Sequence, residues 1–340
     1  FAKVALLDQP GNMDSKAAQY IQMKLQSTLF GASAVVIANA NSAQYGANPN
    51  NTTSYIVTAY HPRARALGAL EYKEQSTYYF AGDTLIGRYM ADAFADKAAA
   101  NMLISSVLGI THGKPLIINL EGTLADDIVM GVPPGSHMMN AELAASILKA
   151  MNVRAASLAN NHSLDFGTSG FDETVANLRK LDIAPLVNGV VSDFKDFRLL
   201  PLMFLPLAAH PTQTLAAVSE LDRICKLKAP PPLVVFAHWG EEYTLREGKR
   251  DREIKGRLAA CGVSLMIGGH PHVASTHIEA IAGESLAVHS LGNFLFDQNA
   301  SRSSGAIVEL CVFAQGTTAV RLLPIPNFFE MSRGFGHDAR

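Results

Sequence analysis

Leu265-Met266-Ile267-Gly268-Gly269-His270-Pro271-His272 is a short apolar run that stops on two glycines and two imidazoles held apart by a proline. Glycine permits a sharp turn and proline stiffens it, so the two rings can project toward neighbouring positions about 2.0 to 2.2 Å from metal ions. The same pattern recurs along the chain. Tyr78–Ala81 leads into Gly82-Asp83, Leu116–Asn119 into Glu121, and Ala155–Ala159 into Asn160-Asn161-His162. Leu233–Ala237 leads into His238, and Leu286–Ser290 into Gly292-Asn293. Six runs of strand length therefore end in polar residues, most of a type that binds cations or moves protons. In α/β proteins the carboxyl ends of parallel strands share an edge where loops build the site, so residues far apart in sequence can meet there.

Amphipathic stretches separate these runs, which makes the chain an α/β protein with buried strands. Helices are expected at Asp92–Leu108, Ala141–Met151, Phe171–Leu181, Leu215–Leu227 and Asp251–Cys261. Asn140 is placed to cap the second, and Gly262 stands where a left-handed residue closes the last. Ahead of Tyr78 the order is strand Val4–Leu7, helix Ser15–Leu29, strand Ala34–Ala38, a polar loop over Asn39–Ser54, and strand Tyr55–Ala59. Arg63–Gln75 reads as a connector. The expected division is a small N-terminal α/β extension over residues 1–75, of unread role, and a main domain over residues 76–330.

The 340 residues are 48% apolar, enough for a substantial core. With 28 basic and 30 acidic residues the net charge is -2, so no general field draws in a phosphate backbone, and nucleic acid is not an expected partner. No apolar run reaches the roughly 20 residues that span a bilayer; Leu199–Ala209, the most apolar stretch, is short and broken by Pro201 and Pro206. Because the chain opens on Phe1 rather than Met, an upstream segment is expected to have been processed or trimmed and any signal or anchor lost with it, which leaves localisation open between an extracytoplasmic and a cytoplasmic setting. Cys225, Cys261 and Cys311 form no close pair in sequence and read as small core residues rather than a disulfide scaffold.

Taken singly, Asp83 could cap a helix beginning at Thr84, and Glu121 could be a solvated strand end. His238, closing an all-apolar strand, needs a buried hydrogen-bond partner or a metal. In Asn160-Asn161-His162, an amide oxygen can ligate a cation while His162, oriented by Asp165, moves protons. Trp239, Glu242 and Tyr243 follow His238 and can line a cleft, and Asn293 can brace a ligand after Gly292. The loop Gly131–His137, with Pro133 and Pro134, can border it.

These words stand in the order of one family. Gly82-Asp83 with Gly87-Arg88, Asn119-Leu120-Glu121, Ala159-Asn160-Asn161-His162 with Asp165 and Gly167, His238-Trp239-Gly240 with Glu242 and Tyr243, Gly269-His270-Pro271-His272, and Ser290-Leu291-Gly292-Asn293-Phe294 carry the resemblance. From about Tyr78 to Phe296 the chain resembles the CapA family of poly-γ-glutamate capsule synthesis proteins, whose domain is similar to the calcineurin-like metallophosphatases. The resemblance implies a four-layer α/β/β/α metallophosphoesterase-like sandwich and one or two divalent metal ions, with Mn, Fe and Zn all compatible. It implies that Asp83, Glu121 and His272 hold one ion, with Glu121 bridging to a second held by Asn161, His238 and His270. His162, steadied by Asp165, would be the proton donor. Leu85 stands where the wider superfamily places a second ligand, and leucine cannot bind a metal.

Three functions follow as expectations. The first is a metal-dependent hydrolase acting on a phosphoester or on an amide such as a γ-glutamyl or peptide bond, with Arg88 meeting an anionic substrate. Arg88 equally reads as a surface residue salt-bridged to a helix. The second is a metal-dependent peptide epimerase, in which His162, facing Glu242 or His238, removes and returns a Cα proton. The third is a non-catalytic factor that binds a γ-glutamyl polymer in a membrane capsule-synthesis complex.

Overall fold

Along the main strands, alternate side chains enter different cores, and this sorting builds the layers. The computed structural model describes residues 33–41, 54–61, 74–127, 135–205, 225–226, 232–281, 285–299, 301, 303–313 and 318–334. Two compact units divide the chain, Phe1–Glu71 and Tyr72–Arg340. In the first, β1 (Ser33–Asn41) and β2 (Ser54–His61) pair antiparallel, with Ser33 opposite His61 and Asn41 opposite Ser54. The strand expected at Val4–Leu7 and the helices expected at Ser15–Leu29 and Leu215–Leu227 lie outside the described residues, apart from a turn at 225–226.

The second unit holds two large sheets. One contains β3 (Glu74–Thr84), β4 (Leu116–Leu120), β7 (Val153–Ser157), β8 (Ala184–Leu186), β15 (Asn293–Leu295), β16 (Gly305–Phe313) and β17 (Thr318–Ile325), in the order β17-β16-β3-β4-β7-β8 with β15 alongside β3. The other contains β9 (Ser192–Asp193), β10 (Arg198–Phe204), β11 (Leu233–Trp239), β12 (Val263–Gly269), β13 (Glu279–Ala280) and β14 (Leu286–Val288), in the order β13-β14-β12-β11-β10-β9. The short strands β5 (Thr123–Ala125) and β6 (Met138–Asn140) pair parallel. β3, β4, β7 and β8 run parallel, as do β10, β11, β12 and β14, so each sheet has one edge of carboxyl ends.

Tyr78 and Phe80 of β3, Ile117 of β4 and Ala155 of β7 join Leu199, Phe236, Leu265 and Ile267 of the second sheet in one inter-sheet core. The Phe80 and Phe236 rings meet edge to face at 5.8 Å. On the alternate positions, Tyr79, Ala81, Leu116, Ile118 and Ala156 face the helices α1 (Arg88–Ala95), α2 (Lys97–Thr111), α3 (Ala141–Ala150) and α4 (Gly167–Lys180). Leu200, Val235, Trp239 and Met266 pack with Ile254 and Leu258 of α5 (Lys249–Ala260), and Phe328 of α6 (Phe328–Gly334) closes the first helical layer. The result is the four-layer α/β/β/α sandwich.

Three local differences from expectation have identifiable causes. The single helix expected at Asp92–Leu108 is two, α1 and α2, bent by 103°. Asp96 is extended (φ -79°, ψ 117°), and its carboxylate accepts from the Ala98 and Ala99 N–H groups, so it starts a new helix rather than continuing the old one. Arg198–Phe204 is a central strand although it contains Pro201. Its partner β9 covers only Arg198 and Leu199, so the missing N–H at Pro201 costs no ladder bond on that side. Cys225 and Cys261 are joined as a disulfide with Cα atoms 4.4 Å apart, which corrects their reading as small core residues; a separation of 36 residues gives no sign of this contact. Among the described residues no single helix is long and apolar enough to cross a membrane.

Candidate functional site

The six strands that end in polar residues divide three and three between the sheets, and residues at their ends touch across the two. Asp83 stands opposite Asn119 on one side and Asn293 on the other. His238 stands opposite Gly269 in the second sheet. Glycine brings these edges together: a Cβ on Gly82 would lie 1.9 Å from the Gly292 carbonyl oxygen, and one on Gly269 would lie 2.6 Å from Asp83 Oδ1. Beyond Gly269 the His270 N–H donates to both Asp83 oxygens, at 3.2 and 3.1 Å. His270 and His272 hold φ values of 94° and 57°, a left-handed backbone that L-residues adopt at a cost and that concentrates at functional sites.

Asp83, Glu121, His238, His270 and His272 are buried, and Asn161 is partly so. The Asn119 amide nitrogen lies at the centre of the cluster, 2.8 Å from Asp83 Oδ1, 3.1 Å from Glu121 Oε1 and 3.1 Å from His238 Nδ1. Its two hydrogens cannot serve three acceptors fully. Asn160 Nδ2 holds Asn119 by donating to Asn119 Oδ1 and to the Leu120 carbonyl, at 3.1 and 2.9 Å. His238 reaches Asn161 Oδ1 through Nε2 at 2.7 Å, and its ring lies 4.7 Å from that of His270. His272 Nδ1 lies 2.7 Å from Asn293 Oδ1 and 3.2 Å from Asp83 Oδ2.

Charge in this cluster is unevenly matched. Burial and then the neighbouring Asp83 carboxylate push Glu121 well above the ordinary glutamate range. Burial pushes Asp83 the same way, but its contacts with His272, His238 and Asn119 outweigh that and hold it low. The same pairing raises His272 against the effect of burial, while burial and then His270 drive His238 well down. Two buried carboxylates thus lie together, and burial with the Asp83 charge drives Glu121 toward protonation, although His238 Nδ1 lies 3.5 Å from its Oε1. Asp83, Glu121 and His238 each offer a ligand atom within 4.8 Å of the others, and Glu121, His137 and His162 do so as well. These groups can hold a divalent cation, since carboxylate, imidazole and amide donors suit the borderline metals. Leu85 lies in the helix-facing core, fully buried, and supplies no ligand.

Beside this cluster His162 donates through Nδ1 to Asp165 Oδ2 at 2.9 Å. The same oxygen accepts the His137 backbone N–H at 2.7 Å. The His137 ring stacks on that of His162 with centroids 3.6 Å apart and planes 23° apart. Burial, then His162 and Arg88, hold His137 down at about 3, a neutral imidazole. Arg88 lies against it, with Nη1 3.3 Å from His137 Nε2, pairs with Asp297, and stacks over Phe296.

His137 and Asn119 were missed as site residues by sequence reasoning. Asn119 carried a signal, a polar residue within the apolar strand that leads to Glu121; His137 stood at the end of a loop noted only for its composition. Tyr243 is 45% exposed, with its ring 5.8 Å from His272 and φ at 62°. Glu242 is exposed next to it. Trp239 is corrected: it is fully buried in the α5-facing core and donates Nε1–H to the His289 carbonyl at 2.7 Å, so it lines no cleft. Neighbours on a strand point to opposite faces, and His238 takes the side toward the site.

Comparison with known proteins follows the same outline. A family profile described as bacterial capsule synthesis protein PGA_cap matches residues 77–196 and 206–298. The PGA biosynthesis protein CapA of Bacillus subtilis (strain 168) is 26% identical over 280 residues, covering 72% of this chain and 70% of that protein. The capsule biosynthesis protein CapA of Bacillus anthracis is 25% identical over 215 residues; the match covers 56% of this chain and about half, 51%, of that protein. Among solved structures, a hypothetical protein from Thermus thermophilus aligns at TM-score 0.46 and 14% identity, over 74% of this chain and all of the other. A phosphatase from Mycoplasma pneumoniae aligns at TM-score 0.46 and 13% identity, over 75% of this chain and 96% of the other. With the family profile matching well over half of its length, the chain belongs to the bacterial capsule synthesis protein (PGA_cap) family.

Proposed function

We propose that the sandwich unit is a divalent-metal-dependent hydrolase that acts on a phosphoester or a γ-glutamyl or peptide bond of an anionic substrate in capsule polymer biosynthesis. The observation that carries the reading is the charge imbalance at Asp83 and Glu121, two buried carboxylates among three imidazoles. In this reading Asp83, Glu121 and His272 would hold one ion, and Glu121, Asn161, His238 and His270 a second. When bound, such ions supply Lewis acidity that activates water and polarises a substrate oxygen.

The protein's own residues supply the rest. Asn119 keeps Asp83 and Glu121 in register, and Asn293 fixes the ring of His272 through Nδ1, which leaves Nε2 as the ligand atom. Asp165 fixes Nδ1 of His162, so its Nε2 is the atom that hands a proton to the leaving group. Arg88 keeps 39% of its side chain exposed beside His137 and would meet the substrate's negative charge, tempered by its pairing with Asp297. The exposed Tyr243 ring would flank the substrate on the side of His272.

The test is elemental analysis of protein purified without added metal, followed by turnover of bis(p-nitrophenyl) phosphate and of poly-γ-glutamate in the presence of Mn or Zn. Bound metal with release of nitrophenol or of glutamyl fragments supports the reading. Protein that retains no divalent ion under any loading would remove it. Deuterium uptake at Cα without cleavage, or polymer binding without turnover, would replace hydrolysis with epimerisation or with a binding role.

A further inference from the structure

We infer that His137 is a positioning residue that fixes the plane of the His162 ring. The inference rests on the reading of His162 as the proton donor, and it concerns a residue outside the six ligands assigned above, although His137 also offers a donor atom near Glu121 and His162. A single hydrogen bond from Nδ1 to Asp165 is the one polar contact that holds the His162 ring, and rotation about Cβ–Cγ would swing Nδ1 out of it, because the terminal torsion of a histidine is broad. A flat surface 3.6 Å away removes this freedom, and the His137 ring is that surface.

The surface is itself rigid, held by groups other than His162. The His137 N–H is tied to Asp165 and its carbonyl accepts the Thr123 N–H at 2.9 Å. Gly122, at φ 141°, lets the two backbones approach so closely that a Cβ there would lie 2.8 Å from the Cβ of His137. Phe296 lies against the ring edge at 5.5 Å. Arg88, anchored in turn by Asp297, closes the far side. A guanidinium can only donate, so Nε2 of His137 carries no proton and the ring is neutral. One carboxylate oxygen, Asp165 Oδ2, therefore holds both the backbone that carries the His137 ring and the ring of His162.

The test uses the full chain labelled with 15N-histidine. The His162 Nδ1–H proton, identified by its absence in His162→Ala, should be visible in the wild type and in His137→Phe, which keeps the flat ring. It should be lost to exchange in His137→Leu, which keeps bulk but not planarity. Metal content should be equal in all three. On bis(p-nitrophenyl) phosphate, kcat of His137→Leu should fall about 10- to 100-fold with KM unchanged, and His137→Phe should recover most of it, as expected for misplacement of a reacting group by a fraction of a bond length to about 1 Å. An Nδ1–H resonance that persists in His137→Leu overturns the inference. So does loss of metal in that variant, which would make His137 a ligand. If His162→Ala keeps full turnover, the proton-donor reading fails instead, while the resonance still reports on the stack.

Discussion

Glu309 and Glu121 belong to the same part of the fold, both buried at the seven-stranded sheet, yet their environments push them in opposite directions. Glu309 lies on β16 opposite Arg321 on one neighbouring strand and Tyr79 on the other. Burial acts to raise it, but Arg321 and the Tyr79 hydroxyl, which donates at 2.9 Å, bring it below the ordinary range. Lys255 is matched in the same way, buried between Glu247 and Glu279. Glu121 has Asp83 where Glu309 has Arg321, and it rises. Where a buried charge only holds the fold together, the chain provides its counter-charge; on the proposed reading, a divalent cation would supply it at the site edge.

The strongest way to break this contrast is to remove cluster ligands. His238→Ala or His270→Ala should lose bound metal and all measurable turnover while the fold persists, as read by elemental analysis and circular dichroism. Full metal occupancy in either would dissolve the distinction between the two glutamates. His162→Ala should keep its metal and lose about 10²- to 10⁴-fold in kcat. Asn293→Ala, which frees the His272 ring, should weaken metal affinity about 10- to 100-fold in a chelator competition.

Stability measurements sharpen the contrast further. In metal-free protein the folded pKa of Glu121 lies above its unfolded value, so the folded state binds the extra proton and stability should increase as pH falls through that raised value toward the ordinary 4.5. Glu121→Gln should flatten this dependence and make the metal-free protein more stable at neutral pH by urea unfolding. Metal at 100 times its Kd should stabilise the wild type by about 2.7 kcal/mol and the Gln variant by much less. Glu309 has the opposite sign: its folded pKa is lowered, so its contribution is complete above the ordinary value of 4.5 and lost as pH falls through the folded value. The smallest effect is expected for Arg321→Met, about 1 kcal/mol at pH 7, because the side chain of Arg321 is 43% exposed and solvent screens the pair.

Much of the sandwich could be read from apolar runs and their endings. β3, β4, β7, β11, β12 and β14 are legible as short apolar runs that end in polar residues, and Asn140 as the α3 cap it forms, accepting the Leu143 N–H at 2.9 Å. β10 escaped because Pro201 argues against a central strand, and β16 and β17 lie largely beyond the motifs that directed the reading. The helix break at Asp96 was hidden because Asp is tolerated in a helix and its capping role depends on which N–H groups it meets. Trp239 was misplaced because its neighbour His238 faces the site, and the alternation of strand faces turns the next residue away.

Residue order alone determined which donors this protein has and that they close successive strands, because a polar side chain ending a buried strand is tolerated only where it is satisfied or used. The tertiary structure decided which of them meet: two sheets had to be pressed together at glycines before Asp83 could accept the His270 N–H. It also decided that His137, from a loop with no periodic signature, stacks on His162. Contacts of that kind are set by the packing of layers far apart in sequence, and no local pattern encodes them.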